Sequence, residues 1–306
     1  MSAADPLCSN AALDGFRADR AYLGADHRRN ERRTWIVAAI CAVTLVAQMA
    51  GGLVFRSMAL TASGLHMAAH VAALLVASGS YALARRHAAN PKFAFGTGKI
   101  GYLAGFANAV VLGATAVLIA VESLQRLLAP EAVDYASALP LAVAGLAVTL
   151  VCVWLLKPTE QGRDDLNISA AHLHLTADAL FGVLAIAGLA AGQRLGWRWA
   201  DPAAGLAGAV LVAQFAVSLI RRAGATLLDM NPSPELTAQV RARLEAQGER
   251  VIDLHLWRLG PGHHAAVAVV SATHPQPPQA YHDRLRGLEG LSHVTVEVHG
   301  PESARL

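Results

Sequence analysis

The chain has 306 residues, of which 54% are hydrophobic and only 15% are charged, and its mean hydropathy is +0.39. Long apolar runs at this composition exclude a soluble globular enzyme and place the chain among membrane proteins. The formal net charge is +3, and because the basic residues cluster at the ends of the apolar runs, it gives no reason to expect nucleic acid as a partner.

Residues 1–33 form a polar stretch without sustained periodicity, so we expect a cytoplasmic N-terminal tail there. Residues 34–222 follow with apolar runs, each close to the roughly 20 residues that span a hydrocarbon layer of ~30 Å. The six runs are Trp35–Phe55, Met58–Ala84, Gly101–Ser123, Ser137–Leu156, Ile168–Gly192 and Pro202–Ile220. The sequence therefore predicts an all-α membrane domain, a bundle of six transmembrane helices.

The basic residues predict which way this bundle faces. Arginine and lysine are concentrated before the first run, after the second and after the sixth, within residues 28–33, 85–99 and 221–222. By the positive-inside rule, both termini are cytoplasmic. We expect an integral protein of the cell's inner membrane, surrounded by membrane lipid.

Two pairs of ionisable residues stand inside apolar runs: His66 and His70 in the second run, and His174 and Asp178 in the fifth. An i, i+4 spacing places both members of a pair on one face of a helix. Both pairs lie roughly ten residues from a membrane edge, so adjacent helices would present them at one depth near the midplane. Three imidazoles and one carboxylate predict a roughly tetrahedral site for a transition metal.

Ionisable groups in hydrocarbon are costly unless they face a partner or water, so these pairs indicate function rather than packing. Imidazole with carboxylate suits cobalt, nickel, zinc or iron better than magnesium or calcium. The leading hypothesis is transport of the metal as substrate. The alternative class is a membrane metal sensor or an intramembrane metalloenzyme that holds a permanent ion. Four protein ligands leave no open position for a reactant, and the sequence contains no catalytic motif, so we expect neither an enzyme nor a catalytic cofactor.

After a linker at residues 223–231, residues 232–306 are amphipathic rather than continuously apolar. The pattern predicts a small cytosolic α+β domain in the order α-β-β-α-β. Its elements are a helix at Glu235–Gln247, strands at Val251–Leu259 and His264–Ala272, a helix at Pro278–Glu289 and a strand at Ser292–His299. A domain of this size has a marginal core, so dimerisation would stabilise it.

Several short sequence motifs occur between Asn30 and His299, in both the membrane segment and the C-terminal domain. They are FGTGK before the third run, LHLTADAL in the fifth, and DLHLWRLGPGHHA and HVTVEVH in the C-terminal domain. With six spans and paired ligands on the second and fifth, the chain resembles the cation diffusion facilitator family. The segments NERRTW and GGLVFRSMAL and the second-run HxxxH resemble its cobalt and nickel efflux branch, and a zinc exporter of the same family is the alternative.

The resemblance implies a homodimer that exports divalent cations from the cytoplasm in exchange for protons. It also implies that cobalt, nickel or zinc acts as substrate and that metal regulates the protein through the cytosolic domain, making this domain one of regulation and dimerisation. By the same analogy, Lys99 and Asp229 would form a charge interlock between the membrane and cytosolic parts. Two unrelated interfacial charges are the alternative interpretation of this pair.

In the last strand, a period of two places His293, Thr295, Glu297 and His299 on one face. His255 lies on the polar face of the first strand. Exposed strand faces have such residues without any metal, but the resemblance keeps His255, Glu297 and His299 as candidate ligands.

The chain departs from the family pattern at two positions. Close relatives usually have an acid where Ser63 stands and another where Tyr102 stands, which puts proton coupling and metal entry in question. The connection between the fourth and fifth runs, residues 157–167, has no histidine, so we do not expect a metal-collecting loop there.

Overall fold

The computed structural model describes residues 22–54, 58–129, 134–159 and 165–300, with only the backbone at residue 52 and residues 58–66. By their internal contacts these residues divide into two compact units. The membrane unit comprises Gly24–Arg85 and Ile100–Leu228. The C-terminal unit begins at Asp229 and also includes Arg86–Lys99 with Tyr22 and Leu23.

Within the described residues, the membrane unit consists of six helices that are long and apolar enough to cross a membrane. They are α1 (His27–Val54), α2 (Met58–Arg86), α3 (Ile100–Leu128), α4 (Tyr135–Leu156), α5 (Leu166–Leu195) and α6 (Ala200–Leu227). Long apolar segments become helices because a helix satisfies all its backbone hydrogen bonds internally, as hydrocarbon requires. The prediction of a six-helix membrane bundle is confirmed.

Helix α5 occupies the centre of this unit because two of its faces are buried in different clusters. One cluster joins it to α1, α2 and α4 and contains Leu74, Leu156 and Leu175. The other joins it to α3 and α6 and contains Leu112 and Leu219. Packing on both sides holds α5 beside α2, the other helix with predicted ligands.

Two membrane helices extend beyond the predicted membrane segment. Helix α1 begins at His27, inside the predicted tail, and α6 ends at Leu227, inside the predicted linker. In α1 the reason is local: no glycine or proline interrupts residues 25–50, so the charged segment before the apolar run continues the same helix.

The C-terminal unit has the predicted α-β-β-α-β order. Its elements are α7 (Pro234–Leu244), β1 (Arg250–Gly260), β2 (His263–Ser271), α8 (Pro278–Leu285) and β3 (Leu291–His299). The sheet described has the strand order β1-β2-β3, with β1 antiparallel and β3 parallel to β2. Its core contains residues of α7 and α8 together with alternate residues of the strands, such as Leu256, Ala268 and Val296. The predicted α+β domain is confirmed.

The connection between α2 and α3 belongs to the C-terminal unit, which the sequence did not predict. Its Phe95 ring lies 5.6 Å from the ring of Trp257 and 6.0 Å from that of His293, between centroids. Gly98 approaches the backbone of Leu259 so closely that a Cβ atom there would overlap the Leu259 carbonyl oxygen. Gly98, the second glycine of the FGTGK motif, is therefore required by close packing.

Candidate metal centre

Helices α2 and α5 bring His70, His174 and Asp178 together at one point. Asp178 Oδ2 lies 3.4 Å from His70 Nδ1 and 3.3 Å from His174 Nε2. One ligand atom from each residue lies within 4.8 Å of the other two, and the two imidazole planes are inclined at 81°. The i, i+4 pair on α5 and the facing histidine of α2 therefore converge.

The two separations from Asp178 Oδ2 match those of ligands around one metal ion. If a metal lay about 2.05 Å from both atoms of a pair, separations of 3.3 and 3.4 Å would correspond to angles of roughly 110° at the metal. This is close to a tetrahedral angle. The three side chains are only 6, 13 and 12% exposed, so the ligands are held away from bulk water.

His66 is the fourth predicted ligand. It lies in α2, four residues before His70, and its backbone is helical. Its side chain lies outside the described part of the structure, as does that of Ser63. Tyr102, the other departure from the family pattern, is buried in α3 with 2% exposure.

A cavity of about 10 Å³ adjoins the centre. It is lined by His70, Ala73, Leu74, Asn108, Ala171, His174 and Leu175. Its volume is roughly that needed for one water molecule, so it is large enough for a single ion without its hydration shell. Asn108 of α3 donates a hydrogen bond from Nδ2 to the Ala73 carbonyl oxygen at 3.1 Å, which ties α3 to α2 beside the centre.

The residues predicted on the sheet are arranged differently. His299 Nε2 lies 2.7 Å from Glu297 Oε1, and both side chains are partly exposed, by 38 and 63%. His255 Nε2 lies 2.7 Å from Asp253 Oδ2 on its own strand. Because β2 lies between β1 and β3, the structure brings Glu297 and His299 together but keeps His255 apart from them.

Lys99 and Asp229 form an ion pair through Nζ and Oδ1. Asp229 directly follows α6 and has a backbone φ of +55°, a left-handed conformation that residues other than glycine seldom adopt. Both residues belong to the C-terminal unit. The predicted contact is therefore present, and its role as an interlock stays a prediction.

One buried carboxylate has more polar contacts than the sequence suggested. Asp165 is the N-cap of α5, where its Oδ1 accepts a hydrogen bond from the Asn167 backbone N–H at 3.1 Å. Its Oδ2 also accepts hydrogen bonds from Tyr81 and Asn30, at 2.6 and 3.0 Å. The sequence predicts the cap, since an aspartate precedes the first apolar turn. It does not predict the contacts with α1 and α2, because those partners are distant along the chain.

The family profile described as the cation efflux transmembrane domain matches residues 34–228, which include all three residues of the centre. The metal cation efflux system protein CzcD of Cupriavidus metallidurans is 29% identical to this chain over 287 residues, covering 90% of each. A cadmium, cobalt and zinc/H(+)-K(+) antiporter of Bacillus velezensis is 27% identical over 262 residues, covering 83% of each. The zinc transporter ZitB of Pectobacterium atrosepticum is 31% identical over 234 residues, which are 76% of this chain and 72% of the relative.

Proposed function

This chain belongs to the cation diffusion facilitator family and is a transport protein rather than an enzyme, and on that premise we propose that it exports divalent transition-metal ions from the cytoplasm. The metal binds between α2 and α5 at a centre formed by His66, His70, His174 and Asp178. Cobalt and nickel are the first candidate cargoes. Protons move in the opposite direction.

The observation that supports this proposal is the convergence of His70, His174 and Asp178 near the middle of two membrane helices. Ionisable side chains at that depth are costly unless a partner or a ligand compensates them. A divalent ion would compensate the carboxylate and use the lone pairs of both imidazoles. The centre contains no separate acid or base among its described residues, which favours reversible binding over chemistry.

Zinc is the second candidate cargo, and the names of the relatives favour it. They name zinc, cadmium and cobalt, and none of the three names nickel. The donor set alone suits zinc as well as cobalt and nickel, because imidazole and carboxylate bind all three ions. Cobalt and nickel stay first because the segments NERRTW and GGLVFRSMAL and the HxxxH of α2 resemble the cobalt and nickel branch of the family.

Proton coupling follows from the chemistry of the ligands. Imidazole binds a metal only when it is neutral, so metal binding releases protons and protonation weakens metal binding. An unperturbed histidine has a pKa of about 6.5, so modest acidity outside would favour release. One relative is named as an H(+)-K(+) antiporter, which is consistent with exchange of the metal for other cations.

We propose a homodimer in the inner membrane with both termini cytoplasmic, in which Lys99 and Asp229 connect the two parts of the chain. We also propose that Glu297 and His299 bind regulatory metal. His255 can join them only if it reaches the same ion across β2, which separates it from the pair.

Metal uptake into vesicles tests the transport proposal. Purified protein in liposomes is given cobalt, nickel, zinc or cadmium under an imposed pH gradient, and metal movement is followed with an internal indicator. Asp178→Asn removes the charge and keeps the volume, and His172→Ala is the matched control because His172 lies on the same helix outside the cluster. We expect the first variant to stop transport and the second to retain it.

Three results would contradict parts of this proposal. Equal rates in Asp178→Asn and in the wild type would remove the assigned centre. Metal that stays bound and never crosses the membrane would favour the membrane sensor. Transport that ignores pH between about 6 and 8, a range around the histidine pKa, would replace exchange with a channel or a uniporter.

A further inference from the structure

The hydrogen bonds of Asp165 join the ends of three membrane helices. Tyr81 of α2 and Asn30 of α1 both donate to Asp165 Oδ2, at the start of α5. Asn167 Nδ2 donates to the carbonyl oxygen of Ala77 and to Ser80 Oγ of α2, both at 2.9 Å. We call Asn30, Ser80, Tyr81, Asp165 and Asn167 the Asp165 network. All five residues are at most 7% exposed.

The network lies in line with the metal centre. On α2, residues 70, 74, 77 and 81 share one face, and on α5 residues 167, 171, 174 and 178 share one face, because steps of three and four follow the helical repeat. Tyr81 is about 16 Å along α2 from His70. Between the network and the centre lie Leu74 and Ala171, which line the cavity at the centre. From the end of the bundle towards the metal centre, the seam between α2 and α5 is thus closed by the polar Asp165 network and then by the apolar residues Leu74 and Ala171.

The opposite end of the bundle differs. A cavity of about 230 Å³ lies there between α3, α5 and α6, with Glu122, Arg126, Phe181 and Asp201 in its lining. Phe181 belongs to this lining and follows Asp178 by one helical turn. At the end of the bundle where α2 ends and α5 begins, the described seam between these two helices is therefore closed, whereas the cavity at the opposite end lies between α3, α5 and α6.

We propose that the Asp165 network is the gate at the end of the bundle where α2 ends and α5 begins, and that Tyr81 and Asn167 must release α5 before cytoplasmic metal reaches His70, His174 and Asp178. This inference rests on the proposed function. A buried carboxylate whose contacts are neutral donors suits a gate, because those hydrogen bonds can be exchanged for water when the seam opens. Once exposed, the carboxylate would also attract an incoming divalent cation.

Chemical labelling tests the gate without any metal. Ala171→Cys places a thiol on the α5 face between the network and the centre, in a background where Cys8, Cys41 and Cys152 are alanine. A membrane-impermeant maleimide is added from the proposed cytoplasmic side. Tyr81→Phe removes one donor, and Asp165→Asn removes the charge while keeping a residue that caps helices well. Thr149→Val is the control, since its hydroxyl donates only to Gly145 within its own helix.

We expect labelling about tenfold faster in Tyr81→Phe and in Asp165→Asn, the change that loss of one hydrogen bond to a charged group allows. Labelling in Thr149→Val should match the unchanged background. Rates within twofold of that background in both gate variants would overturn the proposal. Hydrogen exchange of α3 and α6 peptides separates local opening from general unfolding, because a gate variant leaves those peptides protected.

A reversible cross-link keeps the proposal testable if the gate variants fold poorly. Ser80→Cys with Asn167→Cys is joined by a short bifunctional thiosulfonate, which leaves the rest of the network in place. We expect the cross-link to stop metal uptake from the proposed cytoplasmic side and reduction to restore it. Full transport in the cross-linked protein would refute the gate.

The two proposals fail in different ways. If the uncross-linked wild type moves none of the tested metals, the proposed function fails, and the labelling rates still decide whether the network closes the seam. If metal moves but labelling does not change in the gate variants, the gate fails and the transport site is retained.

Discussion

The metal centre of the membrane unit and the polar face of the C-terminal sheet both contain regularly spaced histidines and carboxylates. In the membrane unit these side chains converge on one point, whereas on the sheet they form separate pairs. On α2 and α5, one ligand atom each from His70, His174 and Asp178 falls within 4.8 Å of the others. On the sheet, His255 pairs with Asp253, and His299 pairs with Glu297 two strands away. Among the described residues, the membrane centre is the one group of three with ligand spacing.

The reason is the geometry of the two elements. An i, i+4 pair on a helix is stacked about 6 Å apart, so a facing helix needs to contribute only one residue to complete a cluster. Alternate residues of a strand also share a face, but β1 and β3 are separated by two strand spacings, or about 10 Å. A shared face therefore predicts a shared metal on packed helices far better than across a sheet.

Burial differs as well. The three membrane side chains are at most 13% exposed, whereas those of His255 and Glu297 are 66 and 63% exposed. Exposed ligands compete with water for the ion and are screened by salt. We therefore expect large effects from changes in the membrane centre and small effects from changes on the sheet face.

Asp178→Asn gives the largest expected effect. Loss of the only carboxylate should reduce the transport rate at least about 100-fold, since even disturbing a residue behind a metal ligand typically lowers affinity 10–100-fold. Vesicle uptake of zinc and cobalt measures it, beside His172→Ala. A folded Asp178→Asn protein with near wild-type rates would show that this cluster is not the transport site.

Glu249→Gln should destabilise the C-terminal unit, and it acts on folding rather than on metal. Burial raises the Glu249 pKa, but the hydrogen bond and ion pair with Arg284 at 2.8 Å more than offset this, so the pKa lies below its usual value. The side chains are only 7 and 14% exposed. We expect a loss on the order of 2 kcal/mol in local stability, measured by hydrogen exchange of β1 and α8 peptides in the full chain.

The same ion pair predicts a pH dependence. Because the folded pKa of Glu249 is lowered, its contribution is complete above the unfolded value of about 4.3 and disappears as the pH falls through the folded pKa. Exchange rates corrected for their intrinsic pH dependence should therefore show destabilisation at acid pH in the wild type. Glu249→Gln should flatten this dependence, and an unchanged profile would exclude Glu249 as its source.

His70→Asp tests metal preference, because it changes the donor set of the centre without removing a ligand. Replacing an imidazole by a carboxylate adds a hard oxygen ligand, so we expect the zinc-to-cobalt and zinc-to-nickel rate ratios to rise by about tenfold. Competition between metals in the same vesicles measures the ratio. If it does not change, the HxxxH pair of α2 does not determine metal preference.

Glu297→Gln combined with His299→Ala gives the smallest expected effect. Because the pair is exposed and has no third ligand nearby in the described chain, regulatory metal bound there should change transport by no more than about twofold. Thr295→Ala, at the exposed neighbouring position on the same strand face, is the control. A loss as large as that of Asp178→Asn would show that the sheet and the membrane centre are equally essential.

Much of this architecture follows from local pattern. The lengths of the apolar runs predicted the six helices to within a few residues at most ends, and the larger misses were the start of α1 and the ends of α3 and α6. The order of elements in the C-terminal domain was predicted from period and turn residues. In the centre, the i, i+4 spacing predicted that His174 and Asp178 share a face, because a helix determines the positions of residues only four apart.

Local sequence patterns thus predict which segments are helices or strands and which side chains share a face. Which of these faces pack against each other is visible only in the tertiary structure. It placed α2 against α5, so His70 joins the α5 pair, and it inserted β2 between β1 and β3, so His255 stays apart from Glu297 and His299. It also brought Asn30 and Tyr81 to Asp165. The physical reason is range: local conformation depends on neighbours a few residues away, whereas adjacency depends on how the whole chain buries its apolar and polar surface.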